Sequence, residues 1–365
     1  MRQRERRRRF QPQRRTARAP FASQVYSFSA EDRIPSRLHV SKAKLLVTRT
    51  LPAAAETILN DQFDVDYARE PKGIPRDELL RRVADKDGLV CQLNETVNEE
   101  LLAAAPNLKI VATVSVGYNN IDVPACTRRK IVATNTPGVL DDTTADFAFA
   151  LILAVARRVV EGDNFLRAGK WTGWDVGQLL GADVWGKTLG ILGFGRIGKE
   201  VARRASGFKM RVLYYNRSGA DAASQREVNA TYVDMDTLLR ESDFLSIHTP
   251  LTPETRHLIS KDALAKMKPS AFLINTARGP VVDEAALNDA LENKVIAGAG
   301  LDVYEREPEV LPGLIPRHNV VLAPHLGSAS TETRTKMAVL AATNVVEFFS
   351  GRRPPNLLNP EVLNR

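Results

Sequence analysis

The sequence predicts an α/β protein of two parallel-sheet domains, with the carboxyl ends of the strands facing a ligand crevice. Three observations predict it. Short apolar runs with β-branched residues alternate with stretches of helical spacing, the pattern of strands joined by crossover helices. Residues 187–218, KTLGILGFGRIGKEVARRASGFKMRVLYYNRS, read as strand, Gly-rich turn, helix and strand. The sections before and after that unit are loosely alike, each passing from a polar loop through a helix and a Pro to a strand and a small-residue turn. That likeness reads as two similar domains, not as a repeat array.

Taken in order, residues 1–40 lack apolar periodicity and read as a disordered, Arg-rich extension. Order is expected from KAKLLVTRTLP, a strand beginning near Lys42, followed by a helix over Ala53–Leu59. Asp87–Val90 enters a second strand, Asn98–Ala105 is a short helix ended by Pro106, and Leu108–Val114 is a strand running into SVGYNNID. Asn135-Thr136-Pro137-Gly138 breaks the pattern and is read as the first domain boundary. A long helix is expected over Thr143–Val160, and its apolar stretch, wider than one face needs, predicts burial against a second subunit. After the central unit come strands at Phe244–His248, Ala271–Asn275, Ile296–Asp302 and Asn319–Ala323, with helices at Asp262–Met267, Glu284–Asn293 and Glu332–Phe349. The expected division is 41–136 plus 324–357 for one domain and 137–323 for the other.

Composition narrows the function classes. A content of 44% apolar and 26% charged residues is that of a globular protein in water. The formal charge of +8 suggests nucleic acid until it is located. Residues 1–40 hold eleven Arg and three acids and account for all of it, so the folded body is neutral and no nucleic-acid partner is expected for it. Three readings of the extension stand: a solvated or misassigned segment, an organelle transit segment, or a nucleic-acid arm. Cys91 and Cys126 imply no disulfide framework, and a reducing, cytoplasmic setting is the expectation. The longest apolar run, Phe147–Ala156, is too short to span a bilayer, so no membrane partner is expected.

The Gly-rich turn sits where a GxGxxG sequence means a dinucleotide site, between a strand and a helix. Gly193 allows the tight turn, Gly195 lets backbone approach a pyrophosphate, and Gly198 lets helix pack on strand, while the helix start at Arg196 and Ile197 offers free N–H groups. This is a Rossmann-type expectation. Three polar residues stand beyond strand ends, where ligands lie in open α/β sheets: Arg278, Glu307 and His325. An Arg offers a planar fork to a carboxylate, and a His paired with a carboxylate can act as an acid near neutrality.

These motifs, SVGYNNID, GFGRIG, HTPLT, NTARG, GLDVYEREP and APHLGSAS in that order, resemble those of the D-2-hydroxyacid dehydrogenases, with the glyoxylate/hydroxypyruvate reductase branch nearest. The resemblance runs from about Lys42 to Val362. It implies a flavodoxin-like domain beside the dinucleotide-binding one, and catalytic roles for Arg278, Glu307 and His325. It also implies substrate contacts at the backbone of Val116 and Gly117, at Ser328, and at Trp174, which would enter the partner subunit's site. Thr249, Pro250, Thr276, Asp302 and Gly327 fall on cofactor-side positions. The implied reaction is reduction of a small 2-oxo acid, with hydride from a nicotinamide cofactor and a proton from His325, in a homodimer. No Cys/His cluster suggests a metal.

The residues after the second strand of the unit set the cofactor expectation. Asn216, Arg217 and Ser218 stand where an NAD-selective site has a carboxylate, so NADP(H) is preferred and NAD(H) remains possible. Within the resemblance, a broad 2-ketogluconate-type reductase stays open. Outside the enzymes, a dinucleotide-sensing corepressor on the same fold stays open. Glu307, where formate dehydrogenases carry Gln, argues against those, and the forty residues after His325 leave little for an added regulatory domain.

Overall fold

A computed structural model describes residues 42–70, 72–219 and 222–363, so the readings of residues 1–40 lie outside the described residues. The first half runs β1 (Lys44–Val47), α1 (Ala53–Gln62), β2 (Asp64–Tyr67), α2 (Arg76–Val83), β3 (Gly88–Cys91), α3 (Glu99–Ala104), β4 (Ile110–Thr113), α4 (Val123–Arg128) and β5 (Val132–Thr134). Two helices follow, α5 (Asp141–Ala156) and α6 (Val159–Arg167). Then come β6 (Thr188–Leu192), α7 (Arg196–Ala205), β7 (Arg211–Tyr215), α8 (Ala222–Glu227), β8 (Ala230–Tyr232), α9 (Met235–Glu241) and β9 (Phe244–Ile247). The chain finishes with α10 (Lys261–Ala265), β10 (Phe272–Asn275), α11 (Glu284–Glu292), β11 (Gly298–Leu301), β12 (Val320–Leu322) and α12 (Thr331–Phe349).

The strands form two wholly parallel sheets. The five-stranded one has the flavodoxin-like order β2-β1-β3-β4-β5, and the seven-stranded one the order β12-β11-β10-β9-β6-β7-β8. Parallel strands need helices on both faces, and alternation along the strands supplies both cores. Leu45 and Val47 face α1 and α12, whereas Leu46 faces the α2–α4 side. Leu189 and Ile191 likewise pack towards α5 and α7 on one face of the larger sheet. The order reverses between β1 and β3 in one sheet and between β6 and β9 in the other. Such switch points open a crevice at the carboxyl ends of the strands.

The expected helix over Thr143–Val160 is two helices. α5 stops at Ala156, whose carbonyl accepts the Ala182 N–H at 2.8 Å, and Arg158 adopts left-handed backbone (φ 53°). Arg158 then forks onto Glu161 and starts α6. Most of the α5 apolar face is used within the chain, while Phe147, Leu153 and Ala154 stay half-buried and Ala150 exposed. Ala145, Ala148, Phe149, Leu151, Ile152, Val155 and Ala156 are buried within this chain, against the larger sheet and α7. Among the described residues no helix is long and apolar enough to cross a membrane.

Candidate active site

The carboxyl ends of both sheets open on one cavity of about 1100 Å³. Arg278, Glu307 and His325 line it, and they arrive on three adjacent strands, following β10, β11 and β12. His325 Nδ1 lies 2.9 Å from Glu307 Oε2, and Glu307 Oε1 accepts the Tyr304 N–H at 3.1 Å. Burial pushes the Glu307 carboxyl up, but the hydrogen bond and charge of His325, the Tyr304 N–H and Arg278 outweigh it and hold it below the ordinary carboxylate range. Glu307 is therefore ionised and accepts, so Nδ1 carries the hydrogen and Nε2 is the nitrogen left for the cavity. His325 sits at φ 56°, a left-handed backbone held by its own N–H on the Asp302 carbonyl at 3.0 Å and by Arg334 on its carbonyl at 3.3 Å.

Arg278 reaches across the cavity. Its Nε donates to Asn119 Oδ1 at 3.3 Å and Nη1 to the Ala277 carbonyl at 2.6 Å, and its guanidinium lies so close to Gly117 that a Cβ there would collide with Nη2. Burial pulls its pKa down and Glu307 pushes it back up. Around Val116 and Gly117 the carbonyls are taken, by Asn135 Nδ2 at 2.8 Å and Ser115 Oγ at 2.7 Å. Their N–H groups have no hydrogen-bond partner among the described residues and lie beside the Arg278 guanidinium. Ser328 lines the same cavity.

On the other side lies the Gly-rich turn. Gly193 has φ 97°, and a Cβ there would fall 2.7 Å from the backbone of His248 and Thr249, so no side chain fits. A Cβ at Gly198 would strike the Gly193 carbonyl. Gly195 is different: its backbone is extended and a Cβ there would meet nothing within 4 Å. Nothing in the chain itself requires glycine at that position, whereas a phosphate seated on the start of α7, which no side chain caps, would. Ile197, Thr249, Pro250, Thr276, Asp302 and Gly327 line the cavity, and the buried Thr276 Oγ1 has no partner among the described residues. Asp302 accepts the Leu326 and Gly327 N–H groups at 2.6 and 2.7 Å, although burial still raises its pKa. These residues fit a dinucleotide.

Some candidates stand apart. Arg196 extends to Gly138 and does not line the cavity. Asn216 fastens the turn, accepting the Phe194 N–H on Oδ1 at 2.6 Å, which leaves its Nδ2 as the donor for a ligand. Arg217 and Ser218 are exposed beyond β7. Trp174 is 84% exposed and lies outside this chain's cavity. Sequence reasoning missed Asn119, which ties Arg278 to the Leu251 carbonyl (Nδ2 to O, 2.9 Å), and its place in SVGYNNID was the available signal. It also missed His248, whose imidazole burial pushes down to about 3, and Arg49 beyond β1.

Comparison with known proteins decides the family. The model of the D-isomer specific 2-hydroxyacid dehydrogenase, NAD binding domain, matches residues 149–327. A glyoxylate reductase of Thermococcus litoralis is 51% identical over 326 residues, which span 88% of this chain and 98% of that protein. The chain belongs to the D-isomer specific 2-hydroxyacid dehydrogenases. It is thus an oxidoreductase that works with a nicotinamide dinucleotide. Two solved structures share the fold of this dehydrogenase. A protein of Thermus thermophilus is 42% identical, with a TM-score of 0.81 over 86% of this chain and 99% of its own. The NADPH-dependent glyoxylate/hydroxypyruvate reductase of Sinorhizobium meliloti, solved in complex with NADP and malonate, is 33% identical, with a TM-score of 0.77 over 87% and 97%.

Proposed function

We propose that this dehydrogenase reduces small 2-oxo acids, glyoxylate and hydroxypyruvate among them, to 2-hydroxy acids, with NADPH preferred over NADH. The observation that carries the reading is the meeting of the His325–Glu307 pair and the Arg278 guanidinium with the unpartnered N–H groups of Val116 and Gly117 in one cavity. The names of the Thermococcus and Sinorhizobium relatives support the same substrates. In this reading residues 41–136 with 324–357 hold the substrate, and residues 137–323 hold the dinucleotide.

The bound reduced nicotinamide supplies the hydride. The Val116 and Gly117 N–H groups and Arg278 bind the substrate carboxylate, and Arg278 also polarises the carbonyl oxygen. His325 gives its Nε2 proton to that oxygen as negative charge develops on it. Glu307 holds the imidazole in the tautomer that presents Nε2. His325 ends neutral and, with about a third of its side chain exposed, regains a proton from water. Asn119 positions Arg278, and Ser328 is a further substrate contact.

The absence of a carboxylate at Asn216, Arg217 and Ser218 supports NADPH, with Arg217 pairing the 2′-phosphate. A homodimer is part of the proposal, with the outer side of α5, at Phe147, Ala150 and Leu153, and the segment beyond it as its surface. Val159, Leu166, Trp171, Trp174, Val176 and Trp185 are all exposed around α6 and the segment after it. That contiguous stretch of large apolar side chains suits a second copy, into whose cavity Trp174 would reach. The test is an initial-rate panel of glyoxylate, hydroxypyruvate, 2-ketogluconate and pyruvate with both cofactors, for wild type and Arg217→Ala. Turnover of glyoxylate with an NADPH preference that Arg217→Ala lowers about 10- to 100-fold is expected. Dinucleotide binding without turnover of any substrate would point instead to a binding protein, and a wild type favouring NADH would overturn the cofactor choice.

A further inference from the structure

The substrate half of the cavity contains an arginine, Arg49, that makes no hydrogen bond among the described residues. Arg49 lies two residues beyond β1 and Gln92 immediately beyond β3, so the two flank the switch point of the five-stranded sheet, and both line the cavity. Only β3 separates β1 from β4, whose following turn carries Val116 and Gly117. Two strand spacings amount to about 10 Å, a gap that an arginine side chain and a small substrate bridge together.

Three other arginines line the same cavity and each is engaged. Arg278 donates to Asn119 and to the Ala277 carbonyl, Arg69 forks onto Glu56 at 2.9 and 3.1 Å, and Arg334 donates to the His325 carbonyl. Arg49 makes no hydrogen bond among the described residues. Its buried Nε lies 3.5 Å from Glu95 Oε1, an ion pair too long and poorly aligned to satisfy the N–H. A guanidinium has five N–H donors, and a buried donor left unpaired costs free energy that a ligand recovers.

The group is also held in place. Glu95 is itself buried and fixed by the Thr48 hydroxyl at 2.8 Å and the Gln92 N–H at 2.7 Å. The loop at Gly73, with φ 85°, lies on the guanidinium so closely that a Cβ would collide with Nη2. An oriented fork with unused donors is a preorganised site. Because Glu95 already offsets its charge, it suits a neutral acceptor better than a second carboxylate.

We infer that Arg49 is a specificity-determining residue that donates to the hydroxyl on C3 of the substrate, so that the enzyme favours 3-hydroxylated 2-oxo acids over their deoxy analogues. This rests on the 2-oxo acid reductase reading above. Hydroxypyruvate and pyruvate differ by that hydroxyl alone, so kcat/KM for the two, with glyoxylate beside them, tests it in wild type, Arg49→Gln and Arg49→Lys. In wild type the hydroxypyruvate-to-pyruvate ratio is well above one. Arg49→Gln lowers it about 10- to 100-fold, chiefly through the KM of hydroxypyruvate, while the pyruvate-to-glyoxylate ratio is held. Arg49→Lys keeps the charge beside Glu95 without the fork and lowers the ratio less, and it decides the matter if the Gln variant does not fold. A wild-type ratio near one, a ratio neither substitution changes, or an equal fall for all three substrates overturns the inference and leaves the reductase reading intact. A wild type that reduces none of the three defeats that reading instead.

Discussion

At the scale of single residues, His325 and Glu307 are read as one unit. Replacing His325 with Ala removes the proton donor while leaving the Gly-rich turn untouched. kcat is expected to fall about 10²- to 10⁴-fold with the dinucleotide Kd nearly unchanged, measured by stopped-flow and by fluorescence titration. Near wild-type kcat would remove His325 from the proposed chemistry. Glu307 carries a pH consequence. Its folded pKa lies below the reference 4.5, so its contribution to stability is complete above that value and is lost as pH falls through the depressed folded value. The Tm difference between wild type and Glu307→Gln should shrink as pH falls below the reference value. A difference that grows on acidification would contradict the sign. Arg278, Glu307 and His325 were legible in sequence because each follows a strand and sits in a motif. The placement of Asn119 and Arg49 at the cavity, and the Asn216 bond to the Phe194 N–H, were not, because they depend on which atoms separated loops bring together, as in the Asn119–Arg278 bond across 159 residues.

At the scale of elements, most strands buried on both faces announced themselves as unbroken apolar runs, although the three-residue β5 went unread. β2, DVDY, escaped notice because it lies at a sheet edge and carries two Asp in four residues. α2, RDELLRRV, escaped for a related reason, with only Leu79 and Val83 buried on an otherwise charged helix. The α5–α6 break was hidden because what ends α5 is the return of Ala182, 26 residues away, and no local stop signal. The glycine-rich turn yields an element-scale prediction. Gly195→Ala adds a methyl where the chain has open space, so the fold and Tm should be nearly unchanged. The methyl nonetheless stands in the way of the pyrophosphate, and the dinucleotide Kd should rise about 10- to 100-fold by titration. Gly198→Ala, which meets the Gly193 carbonyl, should lower Tm as well. Equal Kd values for Gly195→Ala and wild type would argue against a phosphate at that turn.

At the scale of the whole molecule, two parallel sheets share one cavity because both present their carboxyl edges to it. Alternation and motif order made that architecture legible in the sequence, but the assembly is a different matter. The apolar width of α5 pointed to a partner; the helix buries most of it in its own chain, Phe147, Ala150 and Leu153 stay accessible, and larger exposed residues lie beyond it. A homodimer is expected by analytical ultracentrifugation at micromolar concentration. Trp174→Ala should raise KM for the 2-oxo acid more than it disturbs the mass, since one exposed side chain is a small part of such a surface. A monomer with full activity would refute the assembly.

The C-terminal segment has a consequence for how the molecule is made. α12 packs against α1 and β4, the Leu358 N–H donates to the Ala133 carbonyl at 2.8 Å, and Asn359 Oδ1 accepts the Ala133 N–H at 2.8 Å. The half that is synthesised first is thus the half that is finished last. While the ribosome is still reading the middle of the message, β1–β5 have emerged without the helix that covers one of their faces, whereas β6–β12 come from one unbroken stretch. A chain truncated just before Thr331 should therefore show protease resistance over residues 188–322 and sensitivity over 42–135. During that interval the first half is the part of the nascent chain that depends on chaperones.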